Sequence, residues 1–201
     1  MIARLWPELA QRANKEGRPG TRFLGARLKH EVAERAKRRT ERHRNESHLD
    51  PTKTLATVDF SVAPMLSKVH VTALCNGDAW LERGATVLIF GPPGTGKRHL
   101  GCAIGHALID AGYRVLFTRT GELAQNLQAA RQSLQLPSAL AKLDHFDLII
   151  LDYISFGIKD QAETSMLFEL IAERYERRNL LRAGPVWLDR IFIFLSGALP
   201  M

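Results

Sequence analysis

Residues 86–98 read TVLIFGPPGTGKR, a short apolar run rich in β-branched side chains followed by a glycine-rich turn that ends in lysine. Gly91-Pro92-Pro93-Gly94-Thr95-Gly96-Lys97 satisfies the G-x-x-x-x-G-K phosphate-loop pattern, and Arg98 stands where that pattern has Ser or Thr. The chemistry requires these residue types. Glycines let the backbone curl so that its N–H groups face phosphate oxygens, the following helix start adds the positive end of its dipole, and Lys97 reaches the β and γ phosphates. The context agrees, because Leu100, Ile104, Ala107, Leu108 and Ala111 recur at helical spacing after the loop until Gly112.

Working outward, Val115 to Thr118 is a second strand, and Leu123, Leu127, Ala130 and Leu134 mark a helix expected to stop before Pro137. Leu148 to Leu151 is a third strand, with Asp152 at its end where a Walker B carboxylate would hold Mg²⁺. Asp147 reads as a solvent-facing residue at the strand entrance. Asp160 and Glu163 have capping-box spacing ahead of a helix whose inner face is Leu167, Leu170, Ile171, Arg174 and Tyr175. Strands alternating with helices of this length predict an α/β fold: a parallel P-loop sheet flanked by helices and joined by right-handed crossovers.

Upstream, Ile2, Leu5, Trp6 and Leu9 predict a short amphipathic helix broken at Pro19-Gly20. A second helix, from about Phe23 to His48, has Leu24, Leu28 and Val32 on one face and then the run Arg35, Lys37, Arg38, Arg39, Arg42 and Arg44. Residues 1–50 hold 13 Lys/Arg against 7 Asp/Glu, so this quarter carries six of the chain's seven net positive charges. Such asymmetry points to a polyanion, nucleic acid above all. Pro51 and the Thr-rich stretch after it predict a connection at about 49–58.

The 201 residues are 45% hydrophobic and 24% charged, which excludes global disorder. Cys75 and Cys102 form no Cys-x-x-Cys pair and read as reduced thiols. His30, His43, His48, His70, His99, His106 and His145 lack zinc-site spacing and read as surface or structural. Trp80 and Trp187 read as core residues rather than base-stacking platforms. Arg174, Arg177 and Arg178 fit a helix C-terminus, with a DNA or intersubunit contact as the alternative. The start has neither signal-peptide nor membrane-span character, so the expected location is cytoplasmic, with no membrane partner.

The strings LWPELAQRANKEG, KTLATVDFSVAPMLSK, GDAWLERGATVLIFGPPGTGK, YRVLFTRTGEL, KLDHFDLIILD and KDQAETSMLFELIAERYERR resemble the IstB-like helper ATPases of bacterial transposable elements, relatives of the DnaA and DnaC branch of AAA+ proteins. The resemblance runs from the first residues to about Leu181. It implies ATP as ligand, Mg²⁺ as its companion, DNA and a transposase as partners, and a homo-oligomeric assembly. It also implies a nucleotide site made of Gly91, Pro92, Pro93, Gly94, Thr95, Gly96, Lys97 and position 98, with Lys97 and Asp152 as the catalytic positions and Asp152 as the metal ligand. The corresponding organisation is a basic helical DNA-contact segment at 1–50, a truncated AAA+ domain at 51–183 and a tail outside the family pattern at 184–201.

Departures from the family pattern bear on chemistry. The Arg98 guanidinium has no lone pair for Mg²⁺, and can instead pair with a phosphate in place of part of the metal's charge. Tyr153 replaces a second acidic residue after the Walker B strand, and a phenol is a poor substitute for a carboxylate that orients water. After Asn179-Leu180-Leu181 the family continues into a polar sensor strand and arginines that act across subunits, whereas this chain ends RAGPVWLDRIFIFLSGALPM, which reads as a frameshifted or truncated tail. In this type of sheet a strand must lie between the Walker B strand and the phosphate-loop strand. Of two candidates, Ile191 to Leu195 is preferred by length and apolarity over Leu180-Leu181, which Gly184-Pro185 cuts short. The function expected is an ATP-binding, weakly hydrolysing transposition helper. A DNA-binding remnant with a vestigial nucleotide site and a helicase-loader-like ATPase are the alternatives, and a nucleotide kinase is disfavoured because no lid is evident.

Overall fold

Leu148, Ile149, Ile150 and Leu151 are all buried, so their strand has no solvent face and must be covered on both sides. In the computed structural model, which describes residues 11, 20–61, 67–82, 84–152, 161–174, 179–184 and 192–196, this strand is β3 of a five-stranded sheet. The other strands are β1 (Thr86–Phe90), β2 (Val115–Arg119), β4 (Asn179–Gly184) and β5 (Phe192–Ser196), with β3 covering Leu148–Asp152. Their order is β2-β3-β4-β1-β5. The first four pair in parallel, while β5 runs antiparallel to β1.

The period of two along the strands sorts side chains between two cores. Leu148 and Ile150 of β3, Val115 and Phe117 of β2 and Leu181 of β4 pack on one face with Leu100, Ile104 and Leu108 of helix α4 (Lys97–Asp110). Val71 and Leu74 of α2 (Lys68–Asn76) and Trp80 of α3 (Asp78–Leu81) join them. Trp80 donates its indole N–H to the Leu74 carbonyl at 2.9 Å and is core, as expected. On the other face Ile149, Leu151 and Leu180 meet Leu123 and Leu127 of α5 (Thr120–Gln132), Leu140 of α6 (Leu136–Leu143) and Leu170 of α7 (Gln161–Arg174).

The expected filling of the sheet centre is corrected. The centre of the sheet is filled by β4, the Leu180-Leu181 segment, and the run beginning near Ile191 lies at the edge as β5. Connection length explains the difference: a parallel crossover needs a dozen or more residues, which α7 provides between β3 and β4. Seven residues separate β4 from β5, enough for an antiparallel return, and Gly184 and Phe192 stand opposite the same residue, Phe90. The helix of Leu123, Leu127 and Ala130 stops before Pro137 as expected, ending at Gln132, and Pro137 itself belongs to the next helix. It sits in the first turn of α6, where its missing N–H costs nothing.

The chain divides into two compact units, Met1–Arg42 and His43–Met201. In the first, α1 (Gly20–Glu46, its last four residues belonging to the second unit) presents Leu28 and Val32 at 61% and 65% exposure. Glu31–Arg35 and Glu34–Arg38 ion pairs lie one turn apart on it. In the second unit, the 49–58 stretch is held along its length. His106 meets the Asp50 carbonyl at 3.0 Å, and His99 meets the hydroxyl of Thr57 at 2.8 Å, in the short 3₁₀ turn Leu55–Thr57. Burial raises the thiol pKa of Cys75 to about 11 and also raises that of Cys102, so both thiols are inert.

Arg174 is a structural residue. Only 1% exposed, it donates to the carbonyls of Leu143 at 2.9 Å and Phe146 at 2.8 Å, capping the end of α6 and the turn into β3. Asp147 is likewise engaged rather than solvent-facing, accepting the Arg114 backbone N–H at 2.8 Å.

Gly101 and Gly105 lie one turn apart on α4. A Cβ at 101 would make ordinary contacts of 3.5 Å, whereas at 105 it would meet Ile150 and Leu49 at 3.0 Å. Gly101→Ala is therefore expected to hold or raise stability by up to about 1 kcal/mol, while Gly105→Val lowers it by about 1–3 kcal/mol, measured by urea unfolding. Arg174→Met, which strips two carbonyls of their buried donor, is expected to cost about 2–5 kcal/mol in the same assay; a change below about 1 kcal/mol would show that water replaces it.

Candidate functional site: a phosphate loop beside an arginine–aspartate pair

β1 delivers the chain into the loop, and the loop opens α4. Gly94 and Gly96 have φ of 80° and 82°, the left-handed region that only glycine enters without strain, and a Cβ on either would meet nothing within 4 Å. These glycines thus serve backbone conformation beside open space, not close packing. The Thr95 hydroxyl braces the turn by donating to the Pro92 carbonyl at 2.8 Å. The first helical closure is the Leu100 N–H to the Gly96 carbonyl at 2.9 Å, so the amides of the first turn have no partner within the helix.

Lys97 folds back over the loop, its ammonium donating to the carbonyls of Gly91 at 2.7 Å and Pro92 at 2.5 Å. Partial burial pushes its pKa below the usual lysine value, with the Asp152 charge acting in the opposite sense.

Asp152 follows Ile150 by two residues, so it projects on the face that α4 covers. Its carboxylate lies 3.7 Å from the Nε of Arg98, which is 44% exposed, while Asp152 is 16% exposed. The same guanidinium sits over the Phe117 ring at 5.2 Å. The Thr120 hydroxyl donates to the Asp152 carbonyl at 3.0 Å and holds the end of β3.

The predicted residues Gly91, Pro92, Pro93, Gly94, Thr95, Gly96, Lys97, Arg98 and Asp152 thus gather at one end of the sheet. Tyr153 lies outside the described residues, as do residues 1–10, Arg177, Arg178 and Trp187. Phe117 and Thr120 escaped the sequence reading. The alternation of β2 carried a signal for the first, because Phe117 shares a face with Val115 near the strand end beside Asp152. His43 and His106 are buried on backbone carbonyls, as expected of structural histidines.

The donor set does not suit Mg²⁺. Position 98 provides no oxygen, Asp152 already faces a cation, and no group of three or more metal-ligating side chains occurs among the described residues.

Comparison with known proteins bears on what such a site belongs to. The family described as IstB-like ATP binding protein matches residues 1–184. An insertion sequence ATP-binding protein of Sinorhizobium fredii is 59% identical over 180 residues, covering 90% of this chain and 60% of that relative. The IS21 ATP-binding protein of Pseudomonas aeruginosa is 34% identical over 173 residues, covering 86% and 65%. The chain therefore spans somewhat under two thirds of the length of these relatives. Among solved structures, AMPPCP-bound DnaA from Aquifex aeolicus superposes with a TM-score of 0.57 at 23% identity, covering 72% of this chain and 44% of that one. The DnaC helicase loader gives 0.54 at 19%, covering 61% and 70%. The fold is thus the AAA+ type of P-loop domain, and among the described residues no helix is long and apolar enough to cross a membrane. The sequence match and the loop geometry agree: the chain belongs to the IstB-like ATP binding protein family of insertion sequences.

Proposed function

We propose that this chain binds ATP through its phosphate loop and acts on DNA as a helper of transposition, with little or no hydrolysis of its own. The observation that carries this reading is the loop itself, with Gly94 and Gly96 in left-handed conformations at the start of α4, in a chain of an insertion-sequence ATP-binding family. Backbone N–H groups of Gly91, Gly94, Thr95, Gly96, Lys97 and Arg98 cradle the phosphates, with Pro92 and Pro93, which have no N–H to give, stiffening the turn. Lys97 exchanges its two loop carbonyls for phosphate oxygens. Asp152 faces this space but, tied to Arg98, is a weak candidate for organising hydrolysis, and Tyr153 supplies no carboxylate to orient water.

Residues 1–50 are the DNA-contact segment in this reading, 51–183 the AAA+ domain, and 184–201 a tail outside the family pattern. Arg35, Lys37, Arg39 and Arg42 are exposed on α1, as phosphate contacts must be. A transposase and further copies of the chain are the protein partners the family resemblance suggests, in the cytoplasm.

Lys97→Ala is expected to weaken binding of a fluorescent ATP analogue by about 10- to 100-fold, the worth of a charge-assisted contact to phosphate. Equal binding by folded wild type and variant would remove Lys97 from the site, and no binding by folded wild type would sink the nucleotide reading and leave a DNA-binding remnant. For DNA, replacing Lys37, Arg39 and Arg42 together by Gln is expected to flatten the slope of log affinity against log salt by about 2–3, since each lost phosphate contact removes about 0.9. An unchanged slope in fluorescence anisotropy would remove this helix half from the interface.

A further inference from the structure

We propose that Arg98 is a tethered substitute for the divalent cation, so that this site takes a nucleoside triphosphate free of Mg²⁺. The inference rests on the nucleotide reading above and specifies the ionic form of the ligand. Three observations carry it. Arg98 is the second residue of α4, so its side chain starts from the helix turn that faces the phosphates. Its guanidinium lies 3.7 Å from the Asp152 carboxylate, the group that a bound metal would have to engage. The same guanidinium rests against Phe117, whose ring is buried in the core and therefore fixed.

A divalent cation entering this space would have to displace a cation that cannot diffuse away, at a position where the usual hydroxyl ligand is missing. The guanidinium meanwhile offers five N–H donors, more than a single 3.7 Å approach to one carboxylate consumes, and these match phosphate oxygens in forked geometry. An arriving triphosphate competes with Asp152 for Arg98 and adds Lys97 as a second cation. The metal's two tasks, neutralising phosphate charge and bridging to Asp152, fall to one side chain.

The test is calorimetric titration of the full chain with AMPPCP, in Mg²⁺ and in EDTA, alongside Arg98→Ser and Arg98→Thr. Wild-type affinities in the two conditions are expected to agree within about threefold, while both hydroxyl variants bind at least about tenfold more weakly in EDTA than in Mg²⁺. Wild-type affinity that falls tenfold or more on chelation, on the same scale, would overturn the proposal while leaving the nucleotide site intact. Variants as indifferent to metal as the wild type would overturn Arg98 as the cause. Absence of binding in both conditions, by protein whose circular dichroism shows it folded, would remove the nucleotide reading and this inference together.

Discussion

A parallel sheet buried on both faces has no water with which to satisfy an unpaired strand edge, so the pairing of β4 on each of its two sides governs the rest of the molecule. Leu180 and Leu181 stand opposite Thr86 and Val87 of β1 on one side and Ile149 and Ile150 of β3 on the other. The strand NLLRAG is short and contains an arginine and a glycine, but it is long enough to span the register that β1 and β3 share. Its presence sets these two strands about 10 Å apart, twice the ordinary strand spacing. The phosphate loop leaves the end of β1 and Asp152 the end of β3, so β4 also fixes the gap between the two halves of the site. A side chain as long as arginine, rooted on α4, spans that gap.

Much of this was legible in the sequence because local pattern and global fold agree. The phosphate loop, the strand before it and the helix after it declare themselves by residue type at fixed spacing, and β3 by an uninterrupted apolar run. The position of β4 was not legible in the same way. Apolarity favoured the Ile191–Leu195 run, yet what decides the centre of a parallel sheet is the chain length available for a crossover. Hydrophobic pattern does not measure that length. Arg174 was legible in part: helical spacing put it on the inner face of its helix, and only the tertiary arrangement reveals the two carbonyls it satisfies. Leu28 and Val32, placed on one helix face by their spacing, are exposed in the structure.

Arg98 illustrates where motif reading stops. The sequence shows that a metal ligand is missing, which by itself is consistent with decay. Side-chain placement adds that the replacement is seated: its guanidinium has a carboxylate on one side and an aromatic face on the other. Net charge matters here. A magnesium ion with one aspartate presents a charge of +1 to the phosphates, whereas the Arg98–Asp152 pair is neutral. Lys97 and the first turn of α4 must therefore provide the initial attraction, and the Lys97 ammonium is close at hand, hydrogen-bonded to the loop it would have to leave.

That first turn can do so only if it is held in place before ligand arrives, since ordering it on binding would cost affinity. The segment preceding β1 fulfils this role along the whole helix. Arg44 pairs with Asp110 at 2.6 Å at the C-terminal end of α4, the Asp50 carbonyl meets His106 at 3.0 Å, and the Thr57 hydroxyl meets His99 at 2.8 Å one residue after Arg98. The Ser47 carbonyl accepts the Phe117 N–H at 2.7 Å, so the strand that carries the ring under Arg98 is tied to the same segment. Residues 44–57 thus fix α4 at three levels and β2 at a fourth point. The helix that opens from the loop is thereby tied, through the same segment, to the strand that carries Phe117.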